Sequence, residues 1–440
     1  MNTRGRHYDA VVVGGGLSGL LAAATLSESG ARVFLIGKGG GYLHFTSGCV
    51  DVLAKDAEGK LVSDPLDAMH ALARRYPDHP YARAGDALEP ALDLFLRIMQ
   101  EMDVPFTGTV DENVQLPTAI GSTRTTCLLP ESMAAGNATT PEPMLVAGFS
   151  NFRDFYPPYL AANLSRAMNM PVLAAYLDLT QMSQRRHLLS VDAARLFDEP
   201  DFRSEAARAV RALLGDAERV GLPAFIGREH SREAWQDLQS QIGVPMFEIT
   251  TLPPSVPGIR VQNALRRWLL RRGVRTETGF WVTGRRDGSS IQGIDVESAG
   301  RRTRYTANAW ILATGGVGGG GIHAASNGHL QETVFDLPVT GARDRKTWFT
   351  QQFTGDASQP ISLVGISTND QLQPLLGNDQ PLENVFVTGS NLPHWDPTRE
   401  GSGEGVALAT GYKAALGALT VLGQTVHTSY GQSPQTSVVR

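Results

Sequence analysis

The chain opens with YDAVVV, Tyr8–Val13, an apolar run broken only by Asp9. Such a run suits a strand buried on both faces of a parallel sheet. LSGLLAAATLSESG follows, rich in leucine and alanine and closed by Gly30, which predicts a helix with a glycine stop. RVFLI, Arg32–Ile36, returns to β-type residues. The N-terminus therefore reads as a βαβ unit.

From about residue 61 to 254 the pattern changes. LDAMHALARRY, ALDLFLRIMQEM, EAARAVRALLGDAERV and SREAWQDLQSQI predict helices separated by proline-containing loops. Then the earlier grammar returns. GIRVQNALRRWLLRRG predicts a helix stopped by Gly273, and VRTETGFWVTGRR, SIQGIDVES and RRTRYTANAWILATGG predict strands. Residues 321–380 read as irregular and β-rich. NVFVTGS predicts a strand, and GSGEGVALATGYKAALGALTVLG a long helix with a glycine-rich start. No internal repeat is evident, and the tail GQSPQTSVVR is expected to be mobile.

Composition adds further constraints. At 440 residues the chain is long enough for two domains. Its 47 glycines exceed the roughly 7% of average usage, and they gather in runs (Gly14–Gly16, Gly39–Gly41, Gly318–Gly321), as where backbone approaches a ligand. A net charge of −5 without blocks of like charge gives no sign of nucleic-acid binding. Cys49 and Cys127 form no CxxC pair, so neither an iron–sulfur cluster nor a structural zinc is expected, and no metal site. Two such thiols suit a reducing cytoplasm. Arg4 and Arg6 precede the uncharged stretch Ala10–Ser27 in the manner of a secretion signal. The four glycines at 14, 15, 16 and 19 break that stretch into strand and helix instead. No other stretch is apolar enough to span a bilayer.

The chemistry-bearing stretches are glycine turns. Gly14-Gly15-Gly16-Leu17-Ser18-Gly19 fits GxGxxG between strand and helix. Gly14 permits the turn, Gly16 lets a phosphate near the backbone, and Gly19 lets helix and strand pack closely. The acid that grips an adenosine ribose in NAD sites should follow RVFLI, but Gly37 stands there, with Lys38 available to a phosphate. NAD is thus disfavoured, leaving FAD with a weaker adenosine grip or a mononucleotide such as FMN. In LHFTSGC, Ser47 and Gly48 are placed to bring backbone to an isoalloxazine edge, and His44 lies beside them. Ala313-Thr314-Gly315 with Gly316 ends the strand AWIL in a turn that closes over a nucleotide. DPTREGSGEGVA places Gly401, Gly403 and Gly405 at a helix start whose partial positive charge suits a reduced flavin.

These turns, in this order, predict an α/β fold: a Rossmann-like FAD/NAD(P)-binding flavoprotein domain assembled from discontinuous segments, with an inserted α+β cap. The expected flavin domain comprises 1–60, 255–320 and 381–440, and the cap 61–254 and 321–380. GGGLSGLLAA, LHFTSGCVDVL, LPPSVPGIRVQNALRR, VGISTND and DPTREGSGEGVA together resemble the B subunit family of the anaerobic glycerol-3-phosphate dehydrogenase, over essentially the whole chain to about residue 420. That family also lacks the acid after the second strand. The resemblance implies FMN as cofactor, with FAD the alternative. It further implies a complex with a catalytic FAD subunit and an iron–sulfur membrane-anchor subunit. Such a complex oxidises sn-glycerol 3-phosphate to dihydroxyacetone phosphate and delivers electrons to the quinone pool. The chain would then be cytoplasmic and held peripherally at the inner face of the membrane by its partners.

Carbinol oxidation needs a base near the flavin. The candidates are His44, His394 and Glu400. Arg124, Arg153 and Arg399 are candidates for clamping a phosphate. Two other functions compete: a self-contained fumarate-reductase-like flavin oxidoreductase, and a scaffold subunit without cofactor.

Overall fold

The computed structural model describes residues 6–183, 187–298, 301–352, 357–377 and 379–425. The tail GQSPQTSVVR lies outside the described residues. Along the chain the principal elements are β1 (Arg6–Val13), α1 (Leu17–Glu28), β2 (Val33–Gly37), α2 (Pro65–Arg75), α3 (Leu88–Glu101), β3 (Met144–Phe149), α4 (Pro157–Met168) and β4 (Val172–Leu177). Next come α5 (Pro200–Leu213), β5 (Arg219–Pro223), α6 (Ser231–Ile242), β6 (Met246–Ile249) and α7 (Val256–Arg271). β7 (Arg275–Thr278), β8 (Trp281–Asp287), β9 (Ser290–Ser298), β10 (Arg301–Leu312), β11 (Val385–Val387) and α8 (Gly403–Val421) complete the series.

Two compact units form. The first contains residues 6–42, 52–98 and 265–425. Its seven-stranded sheet runs β7-β2-β1-β10-β9-β8, with β11 also on β10. β10 is the pivot. One edge pairs in parallel with the whole of β1, Arg6 opposite Tyr305 through Val13 opposite Leu312. On the other edge, 301–305 pair antiparallel with β9 and 310–312 pair in parallel with β11. The fork between those partners is closed by polar bonds. The Trp310 indole N–H donates to the Ile291 carbonyl at 3.2 Å, and the Asn384 side chain both donates to Ile291 O and accepts from Ile291 N–H.

α1 and α8 are apolar on every side and correspondingly buried. Their contact depends on Gly411, where a Cβ would stand 2.5 Å from the Ser18 carbonyl oxygen. Two buried threonines in these helices bond back to their own helix: Thr25 donates to Leu21 O, and Thr410 to Val406 O.

The second unit contains residues 43–51 and 99–264. Here the sequence pattern names helices and no strands, yet a four-stranded, all-parallel sheet runs β6-β5-β3-β4. MLVAGF, RVGLP and MFEI are short, wholly buried runs, too short for periodicity to separate strand from buried helix. One expected helix is also shorter than its pattern: EAARAVRALLGDAERV leaves the helix at Leu213 and enters β5 at Arg219. Phe149, Phe197, Phe202 and Phe225 meet edge-on or tilted, with centroids 5.0–6.3 Å apart, at the centre of this core.

The grouping differs from the expected boundaries, which put 61–98 and 321–380 in the cap. Packing draws both into the first unit. The Tyr81 hydroxyl donates to Val52 O at 2.7 Å. Gly284 N–H donates to Val334 O at 2.6 Å, and Phe335 meets Trp310 edge-on at 6.1 Å.

Gly411→Val should push α1 and α8 apart, because the added atoms meet backbone rather than a movable side chain. We expect a loss of about 1–3 kcal/mol, read as a lower urea midpoint at unchanged slope. A midpoint equal to that of the parent protein would contradict this account of the helix contact.

Candidate cofactor site

In the first unit, the sequence between β1 and α1 forms a turn pressed against the end of β10. Gly14 has φ +123°, and a Cβ there would stand 2.1 Å from the Ala313 carbonyl oxygen. A Cβ on Gly19 would meet Gly14 O at 2.1 Å. The turn is tied down by Gly14 N–H to Ile36 O at 2.7 Å and Ala313 N–H to Val13 O at 2.8 Å. The structure thus brings together Gly14, Gly16, Gly19 and Ala313, with Thr314 and Gly315 continuing from it. Gly16 caps α1 without any side chain, so the donors of the first turn point out with about half a positive charge behind them. A Cβ on Gly16 would find only the Cα of Gly41, at 3.9 Å. That position is open where Gly14 and Gly19 are closed. The cradle fits a phosphate.

Gly37 has a physical reason. A Cβ there would lie 3.2 Å from Gly15 N and 3.3 Å from Gly14 Cα, and its carbonyl accepts from Gly279 N–H and Phe280 N–H. The end of β2 is pinned between the turn and the Gly279–Phe280 connection that follows β7, and glycine relieves the crowding. Lys38 extends its ammonium over the Trp281 ring, 3.9 Å from the centroid. Its expected phosphate contact competes with that cation–π arrangement.

Asn391 is a site residue that sequence reasoning misses. It is fully buried. Its Oδ1 accepts from Gly316 N–H at 2.9 Å and the Thr314 hydroxyl at 3.2 Å, while its Nδ2 donates to Leu312 O. It therefore shapes the Ala313–Gly316 turn from behind. An asparagine in GSNLP carries no local motif, so only tertiary structure shows this role.

The glycine-rich start of α8 is also fixed from behind. Ala54 N–H lies 2.9 Å from Glu400 O and 3.0 Å from Gly401 O. The Glu400 carboxylate accepts from His79 Nε2 at 3.1 Å, the Ser402 hydroxyl at 2.7 Å and Asp396 N–H at 3.2 Å. His79 Nδ1 accepts from Tyr81 N–H, so the proton is on Nε2. With three donors on its carboxylate, Glu400 anchors the segment that carries Gly401, Gly403 and Gly405. A role as base competes with these bonds. His394 is exposed, with φ +67°. Arg399 is half-buried on the turn Pro397–Glu400.

Ser47, Gly48 and His44 belong to the second unit. Their loop is knitted to α7: Ser255 N–H donates to His44 O at 2.8 Å, and His44 Nε2 lies 2.5 Å from Gln262 Oε1. A Cβ on Gly258 would collide with Leu43 O at 1.7 Å. Arg260 forks onto the buried Glu248 at 2.7 and 3.0 Å and donates to the carbonyls of Ile226 and Gly227. The HFTSGC and PPSVPGIR stretches are thus two sides of one packing device. Arg124 pairs with Asp51 in the same unit. Arg153 is exposed. Neither arginine shares the first unit with the glycine cradle.

The family described as FAD binding domain matches residues 9–406. The B subunit of the anaerobic glycerol-3-phosphate dehydrogenase of Vibrio cholerae serotype O1 is 31% identical over 431 residues, 95% of this chain and 98% of the relative. That of Aliivibrio fischeri is 28% identical over 436 residues, 93% and 94% of the two chains. The chain belongs to this B subunit family. Among solved structures, 3-ketosteroid delta1-dehydrogenase from Sterolibacterium denitrificans is 13% identical with a TM-score of 0.43, covering 94% of this chain and all of that one.

The chain thus belongs to an FAD-binding class of flavoproteins, and the predicted α/β flavoprotein fold is present. Gly14 and Gly16 should separate folding from binding. Gly16→Val has room in the protein, so it should leave the melting temperature nearly unchanged and weaken flavin binding at least tenfold by titration of apoprotein. Gly14→Val should lower stability itself. Full flavin content in folded Gly16→Val protein would remove the phosphate from this turn.

Proposed function

We propose that this chain is the flavin-carrying subunit of a respiratory anaerobic glycerol-3-phosphate dehydrogenase. In that complex sn-glycerol 3-phosphate loses two electrons and two protons to become dihydroxyacetone phosphate, and a quinone takes them up as quinol. The observation that carries the reading is the backbone cradle of Gly14–Gly19 against Ala313, in a chain similar over its whole length to the B subunits of that enzyme. A flavin bound there supplies two-electron chemistry. The chain's own contribution is a phosphate seat on the first turn of α1 and a helix start at Gly403 held by Glu400 and His79.

We favour FAD, in keeping with the family match. FMN is the second reading, favoured by Gly37, which removes the carboxylate that an adenosine ribose would use. Lys38, on leaving the Trp281 ring for a phosphate, completes the proposed contacts of the first unit.

We assign cluster chemistry, membrane attachment and substrate oxidation to companion subunits. Among the described residues, no group of three or more His, Cys, Asp or Glu could hold a metal, and no helix is long and apolar enough to cross a membrane. His44 and Glu400 are engaged in hydrogen bonds, and Arg124 in an ion pair. The proposed partners are a catalytic FAD subunit and an iron–sulfur membrane-anchor subunit. They would hold the chain peripherally at the cytoplasmic face of the membrane.

The isolated chain should carry a flavin yet reduce a quinone analogue only slowly with glycerol 3-phosphate. Adding the two companion subunits should raise that rate at least a hundredfold. Turnover by the isolated chain at the rate of the full complex would place the substrate site here and overturn the division of labour. Mass analysis of the flavin in the isolated chain decides between FAD and FMN.

A further inference from the structure

Sheet edges expose unpaired N–H and C=O groups, and proteins normally blunt them with charge, bulges or cover. Four of the five edges of the two large sheets follow that rule; β11, which branches from β10, is buried at every residue. β7 carries Arg275 and Glu277. β8 carries Arg285, Arg286 and Asp287 and shifts register between the two arginines. β6 is buried at every residue.

β4 is the exception. VLAAYL has no charge and no proline, and it pairs with β3 without a register shift from Val172 to Leu177. Among the described residues no strand pairs with its other side. Leu173 and Tyr176 on it are 44% and 38% exposed, and Tyr156 beside it, Tyr159 on α4 and Ile120 against α4 are more exposed still. Tyr156 and Tyr176 meet edge-on at 6.0 Å. Asn163 Nδ2 donates to Ile120 O at 2.9 Å, fixing that loop against α4. Exposed tyrosines around an apolar centre are the composition of protein interfaces.

We propose that the open edge of β4 is the docking site for an extended, uncharged segment of a companion subunit, which adds a fifth strand to the sheet of the second unit. The unpaired backbone row demands a strand. The absence of charge on β4 leaves no partner for acidic or basic side chains facing it. The relatives are named as one subunit of a larger enzyme, which favours a different chain over a second copy of this one. The inference rests on the multi-subunit reading above.

The test is co-expression of the full chain with the proposed FAD and iron–sulfur subunits, followed by affinity measurement and light scattering. Leu173→Lys with Tyr176→Lys should weaken the complex at least tenfold while leaving flavin content unchanged. Leu173→Ser alone is the milder variant should the double one fail to fold, with a smaller loss in the same direction. Leu270→Lys, at a more exposed leucine on α7, should change nothing. If the parent chain binds no companion, the multi-subunit reading fails and this inference with it. If companions bind the Lys and Ser variants as tightly as the parent, only this inference fails. If the parent chain dimerises by itself through this edge and the variants are monomeric, the occupant is a second copy and the companion is excluded from it.

Discussion

Everything at the cofactor site depends on backbone meeting backbone without a side chain between. Gly14 lies so close to Ala313 that one methyl group would overlap the carbonyl oxygen, and Gly19 lies as close to Gly14. These contacts bring the N-terminus of α1 to the end of β1, beside β10. The first turn of α1 is capped by no side chain, so its donors remain for a phosphate. No charged residue is required in the seat. The electrostatic contribution comes from the helix itself, and polar side chains act from behind, as Glu400 and His79 do at the start of α8.

The same constraint explains the residue that first looks like a loss. An acid at position 37 would suit an adenosine ribose, but the end of β2 is wedged against Gly14 and Gly15, and its carbonyl is taken by Gly279 and Phe280. Packing accounts for Gly37 before ligand preference does. Lys38 follows the same logic, since its ammonium is drawn to the exposed ring of Trp281.

The first unit is largely legible in the sequence because its signals are local. A glycine spacing, an apolar helix and a strand ending in ATGG each predict their own geometry, and the structure joins them. The parallel sheet of the second unit is not legible, since its strands are short apolar runs with no alternation. Nor are the unit boundaries. They depend on contacts such as Tyr81 to Val52 and Phe335 to Trp310, which join residues far apart in sequence. HFTSGC and PPSVPGIR carry family likeness without showing their purpose. Only the fold reveals that Gly258 makes room for Leu43 O and that Arg260 is held by Glu248. His44, a candidate base from sequence, belongs to that same device through Gln262.

The central claim is that a flavin phosphate sits on the bare N-terminus of α1, facing the Ala313–Gly316 turn. Backbone amide hydrogen exchange on apoprotein, with and without added flavin, tests this most directly. The account predicts that the largest slowing of exchange on binding falls on residues 15–19 and 314–316. Flavin binding that leaves those amides exchanging as before, with protection elsewhere in the chain, would contradict it.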